Sequence, residues 1–216
     1  MKYILCYGDS NTHGYNPLDG YRYSEEVRWT GRLANLMGDQ YKVIEEGLNS
    51  RTTALKPVGE PWRSGAYCLE ACIRTHMPID LSILMLGSND MKLEYQQDEW
   101  MIGENVRKLI RIAKRVSMEK NPDGKCCKIL LVSPVLITED AVAGPFGEDF
   151  GGERAVRLSE KLAYVYRKVA DEEGTGYLDA AKCAAAGKLD GLHMEQEGHK
   201  KLAEAIAVKV WEMFAL

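Results

Sequence analysis

Apolar residues fall into short dense runs at residues 3–8, 41–48, 80–86, 128–133 and 176–179, and between these runs they recur every three or four positions. The short runs predict five strands, and the near-continuous apolar character of 80–86 is that of a strand covered on both faces. Trp29, Leu33, Leu36 and Met37 recur at helical spacing, with Gly38 as a C-cap. Trp29 is read as a helix residue packed on the sheet in preference to a substrate contact. Helical patterns also cover 66–76, 98–116, 153–173 and 195–214; in 98–116 the apolar face is Ile102, Val106, Leu109, Ile110 and Ala113. Residues 12–26, 49–63 and 138–152 lack either period and are read as long loops, 184–193 links the last strand to the last helix, and 121–124 reads as a turn.

Strands alternating with helices predict a three-layer α/β/α sandwich built on a doubly wound, parallel, five-stranded sheet. Right-handed crossovers and an early reversal after the first strand suggest the flavodoxin-like order 2-1-3-4-5. No linker-like stretch divides the 216 residues, so one domain over 1–216 is expected. In such a sheet, ligands gather at the carboxyl ends of the strands, and the chemistry-bearing residues stand there.

The first strand stops at Gly8 and delivers Asp9, Ser10 and Asn11 to a turn. Ser10 is the candidate nucleophile, and it needs a base to take its proton and donors for an oxyanion. Gly47 ends the second strand, where a glycine lets a backbone N–H face an oxyanion without a side chain in the way. Asn89 follows the third strand, and its amide offers a further donor. His193 precedes the last helix, with Asp190 three residues before it, as triad logic requires. His199 has no such acid partner, and His76, at a helix end, is assigned no chemistry. Asp90 caps or braces its own turn.

At these places the chain resembles the SGNH hydrolases, also called the GDSL esterase family, with Ser10, Gly47, Asn89 and His193 in the order of the name-giving residues. The first motif reads Gly-Asp-Ser-Asn, where that family more often has leucine after the serine. Residues 27–31, 43–48, 51–53 and 84–87 look like its arylesterase and acyltransferase branch, which includes short-chain acetyl esterases. The resemblance implies a serine esterase acting on small, acetyl-type esters through a Ser-His-Asp triad and an acyl-enzyme, with acyl transfer or perhydrolysis as a further outcome. The oxyanion hole would be the N–H groups of Ser10 and Gly47 with the Asn89 amide. The branch often forms homo-oligomers, so the loops 12–26 and 138–152 are expected to narrow the active-site mouth; 138–152 is either an acyl-pocket wall or an oligomer contact.

A formal net charge of −4 without a long basic run argues against nucleic-acid or anionic-membrane partners and for a small substrate. The first apolar run is too short for a secretory signal and leads straight to Ser10, and no run approaches a membrane span, so a soluble, cytoplasmic protein is expected. The six cysteines show no disulfide density and no Cys-x-x-Cys pair; Cys68 and Cys72 are read as small core residues in preference to metal ligands. No cofactor and no metal is expected. The alternatives are a flavin- or nucleotide-binding module on the same sheet, disfavoured by a carboxylate at Asp9 where a phosphate would sit, and an inactive interaction domain.

Overall fold

The computed structural model describes residues 1–121 and 124–215. Five strands, β1 (Lys2–Gly8), β2 (Tyr41–Gly47), β3 (Leu81–Met85), β4 (Lys128–Ser133) and β5 (Gly176–Asp179), form one parallel sheet in the order β2-β1-β3-β4-β5. Around it run helices α1 (Ser10–His13), α2 (Trp29–Met37), α3 (Gly65–His76), α4 (Glu99–Lys120), α5 (Gly147–Phe150), α6 (Glu153–Glu173) and α7 (Gln196–Ala215). This is the expected three-layer fold with the expected strand order.

The two-residue period of β1 sorts the layers. Ile4 and Cys6 face α2 and α7, where they pack with Trp29, Leu33, Leu202, Ile206 and Val210. Leu5 and Tyr7 face the other way, into a core shared with Leu69 and Ile73 of α3, Leu109 of α4 and Tyr166 of α6. Trp29 is fully buried, as its place in the helical pattern implied.

Sequence spacing missed the ends and the shortest elements. Helix α4 continues past Val116 to Lys120, ending where the Asn121 N–H donates to the Ser117 carbonyl at 2.7 Å, and Asp98 caps its start by accepting from the Met101 N–H at 2.8 Å. Strand β3 is shorter than its apolar run, since Asp80 turns its carboxylate to the Tyr3 N–H at 2.8 Å and to Lys2 at 2.7 Å. The loops expected at 12–26 and 138–152 contain part of α1 and all of α5, four-residue helices too short to show a period. The turn expected at 121–124 has its central residues outside the described ones.

The carboxyl end of β3 is held by a tyrosine. Tyr166 of α6 donates its hydroxyl to the Leu86 carbonyl at 2.6 Å, and a Cβ on Gly87 would lie 2.1 Å from that hydroxyl. Gly87 also has φ of 125°, which only glycine takes without strain. This bond fixes the chain two residues before Ser88 and three before Asn89. Tyr166→Phe leaves the buried carbonyl unpaired, and a loss of about 1–3 kcal/mol is expected. Urea denaturation checks it: the midpoint should fall with the slope unchanged, and an unaltered midpoint would remove the bond from the account.

Candidate active site

The sheet order reverses at β1, so the crevice at its switch point lies between the ends of β1 and β3. Gly8 closes β1 where backbones crowd: a Cβ there would meet Thr12 Oγ1 at 2.0 Å and the Met85 carbonyl at 2.6 Å. Asp9 then starts α1, its carboxylate accepting from the Asn11 N–H at 3.0 Å, and Gly14, with φ of 85°, ends it by donating to the Ser10 carbonyl at 2.9 Å. Ser10 sits on the first residue of this single turn.

The loop after β5 brings the histidine. His193 Nε2 lies 2.8 Å from Ser10 Oγ, and His193 Nδ1 lies 2.6 Å from Asp190 Oδ2. The other Asp190 oxygen accepts from the N–H groups of Leu192 at 3.0 Å and His193 at 2.9 Å, which leaves the ring nitrogen facing the acid as the natural proton carrier. Burial pushes the Asp190 carboxyl up, but the His193 ring and these amides outweigh it and hold it below the usual carboxylate range. Tyr15 lies against the imidazole with ring centroids 4.3 Å apart, and Phe146 meets it edge-on at 5.6 Å.

Asn11 was given no role in the sequence reading, yet it clamps this loop. Its side-chain amide donates to the Leu192 carbonyl at 3.2 Å and its carbonyl oxygen accepts from the Met194 N–H at 2.9 Å, one bond on each side of His193. The sequence signal was the departure of the motif from leucine at this position.

Of the three expected oxyanion donors, the structure brings two to the cleft. Asn89 lines it, with one amide hydrogen given to the Arg51 carbonyl at 3.2 Å and a second left for a ligand. Gly47 does not line it. The N–H that β2 gives to Gly8 is that of Leu48, at 3.1 Å, and Gly47 serves instead as the floor under α1, where a Cβ would lie 2.1 Å from the His13 nitrogen. Ser50, three residues on, takes a left-handed φ of 62° and does line the cleft. An αL serine was not legible from spacing, because a glycine was the expected carrier of that conformation.

The cleft encloses about 170 Å³ and is walled by Tyr15, Phe146, Phe150 and Leu192, with Lys92 at its edge. Phe146 and Phe150 come from the 138–152 loop, which thus forms a wall of the pocket. Hollows of about 460 and 550 Å³ lie elsewhere, but no histidine is among their lining residues, so chemistry points to the smaller one.

The sequence of the chain matches the GDSL-like lipase/acylhydrolase family over residues 6–201. The chain belongs to that family. Among solved structures it is similar to the aryl esterase of M. smegmatis, at 34% identity over 98% of this chain and 99% of that one, with a TM-score of 0.90. It is likewise similar to Est24, a carbohydrate acetylesterase from Sinorhizobium meliloti, at 32% identity over 99% and 100% of the two chains and a TM-score of 0.91. A lipase/acylhydrolase from Enterococcus faecalis, at 20% identity over 99% and 97% of the two chains and a TM-score of 0.67, shares the fold. No curated protein matches. This family member is a carboxylic ester hydrolase, which decides against the flavin-binding alternative. Among the described residues no helix is long and apolar enough to cross a membrane.

Two buried acids of this esterase stand beneath the site. Burial raises Asp9 to about 6 against the Asn11 amide and the charges of His193 and Arg51. Burial raises Asp90 to about 7, against hydrogen bonds from the Thr53 N–H, at 2.8 Å, and the Thr53 hydroxyl; the charge of Asp9 adds to the rise. Asp90 thus braces the β2–α3 loop rather than its own turn.

Two expectations follow from these contacts. Asn11→Leu opens the clamp, so kcat for an ester should fall on the order of 10²-fold with KM little changed; stopped-flow and steady-state kinetics test it, and an unchanged kcat would make the clamp idle. Asp9→Asn keeps the N-cap but removes a titrating acid. The raised Asp9 carboxyl favours the folded state fully below the unfolded value near 3.9 and loses that advantage as pH rises through about 6. Between pH 4 and 7.5 the variant should therefore gain up to about 3 kcal/mol on the native protein in urea unfolding; a pH-independent difference would mean Asp9 titrates normally.

Proposed function

We propose that the protein hydrolyses short-chain, acetyl-type esters through a Ser10–His193–Asp190 triad. The observation that carries this reading is the unbroken line of hydrogen bonds from Ser10 Oγ through His193 to Asp190, at 2.8 and 2.6 Å. Asp190 holds Nδ1–H, so Nε2 is free to accept the serine proton as Oγ attacks the ester carbonyl. The Ser10 and Ser50 N–H groups and the Asn89 amide face the developing oxyanion. Protonated His193 then gives its proton to the departing alkoxide, leaving an acyl group on Ser10. A water, deprotonated by His193, releases the acid; another alcohol or a peroxide entering instead makes acyl transfer or perhydrolysis the outcome.

The substrate class rests on the pocket. A cleft of about 170 Å³ walled by three aromatic rings accommodates an acetyl or similarly short acyl group, with the alcohol directed outward past Lys92. Similarity to a carbohydrate acetylesterase supports an acetyl group, and similarity to that enzyme and to an aryl esterase supports two kinds of alcohol.

Ser10→Ala and His193→Ala should each abolish turnover of nitrophenyl acetate, the double variant should be little worse than either, and Asn89→Ala should cost ~10²–10³ in kcat. Mass spectrometry after treatment with a serine-directed organophosphate should find one adduct, on Ser10. Turnover surviving in His193→Ala, or octanoate esters cleaved faster than acetate esters, would overturn the triad or the substrate class respectively.

A further inference from the structure

We propose that Glu46, Cys72 and His76 form a binding site for a Zn²⁺-type divalent cation, separate from the ester cleft. Along the chain Cys72 has Cys68 and His76 each one helical turn away; the fold supplies the carboxylate of Glu46. Cys72 and His76 stand one turn apart on α3, which puts them on one face of the helix. Glu46 stands opposite on the edge strand β2, in register with Tyr7, whose side chain packs into the core on the α3 side of the sheet. Their three donor atoms, a carboxylate oxygen, a thiol sulfur and an imidazole nitrogen, all lie within 4.8 Å of one another.

The geometry is close to a coordination shell. Zn²⁺ binds nitrogen and oxygen near 2.0–2.2 Å and sulfur near 2.3 Å, which sets neighbouring ligands in a tetrahedron about 3.5 Å apart. His76 Nε2 and Glu46 Oε1 are already 2.8 Å apart, so modest side-chain rotations open room for an ion between them. Both side chains are 31% exposed, and the site is reached from solvent. The Arg51 guanidinium, the cation that acts on Cys72, is committed elsewhere: it stacks 4.1 Å from the Tyr7 ring centroid and donates to the carbonyls of Gly8, at 2.9 Å, and Glu46.

The donor set selects the ion. One sulfur, one nitrogen and one oxygen suit Zn²⁺ and its neighbours, whereas Mg²⁺ and Ca²⁺ prefer oxygen alone. The thiol gives its proton to solvent on binding, and water completes the shell. Cys68, one turn earlier, donates to the Trp62 carbonyl at 3.3 Å and stands outside this set. A bound ion would tie β2 to α3 and stabilise the folded chain in proportion to its occupancy.

The test uses the chelator-stripped full chain titrated with ZnCl₂, CoCl₂, MgCl₂ and CaCl₂. One Zn²⁺ per chain, a raised thermal midpoint, and a thiolate-to-metal charge-transfer band with Co²⁺ are expected, with no response to Mg²⁺ or Ca²⁺. Cys72→Ser and His76→Gln should each weaken Zn²⁺ at least ~10-fold, while Cys126→Ser, at an exposed cysteine, should not. Ester turnover, which uses none of these residues, reports that each variant is folded. Absence of Zn²⁺ binding by the native chain would overturn the site and leave Glu46 and His76 as a plain ion pair. Binding that survives Cys72→Ser and His76→Gln together, or that is lost in Cys126→Ser, would overturn it equally.

Discussion

The contact between Ser10 Oγ and His193 Nε2 joins segments 183 residues apart, and the rest of the architecture is arranged to make it 2.8 Å long. One partner is set by close backbone packing. Glycines at 8 and 47 let α1 settle against the ends of β1 and β2, with no Cβ tolerated at either place. The other partner is set by polar bonds. Asp190 orients the ring, Asn11 holds the chain on both sides of it, and the Gly191 carbonyl accepts from the Thr138 N–H at 2.9 Å. Apolar burial alone would bring these segments near one another; the distance itself is a matter of hydrogen bonds.

Periodicity made the layers legible because burial enforces it. The alternation in β1 and the spacing of Trp29 and Leu33 correspond to real faces of real elements. The meeting of Ser10, His193, Asp190 and Asn89 was legible too, since each follows a strand and the fold gathers strand ends. What could not be read was backbone conformation inside loops. That Ser50 lines the cleft and Gly47 does not turns on one φ of 62° and on which amide β2 gives to β1, and neither leaves a mark on residue type. The clamp at Asn11 was visible only as an unexplained departure from a motif, and α5, at four residues, is barely one helical period long.

The site also concentrates charge in a dry setting. Asp9, Asp90 and Asp190 are all nearly inaccessible, yet of the three Asp190 is the one hydrogen-bonded to an imidazole. The consequence is a division among three chemically equal groups. One is held ionised next to the ring, while the other two drift toward neutrality and serve as acceptors for backbone and hydroxyl donors.

The Asn11 clamp links the first turn of the protein to the loop before its last helix. These two segments stand 181 residues apart in the chain, and no local contact can stand in for the missing one. A folding chain can therefore shape the Ser10 turn by local contacts, but it brings His193 to that turn only when the loop before α7 docks.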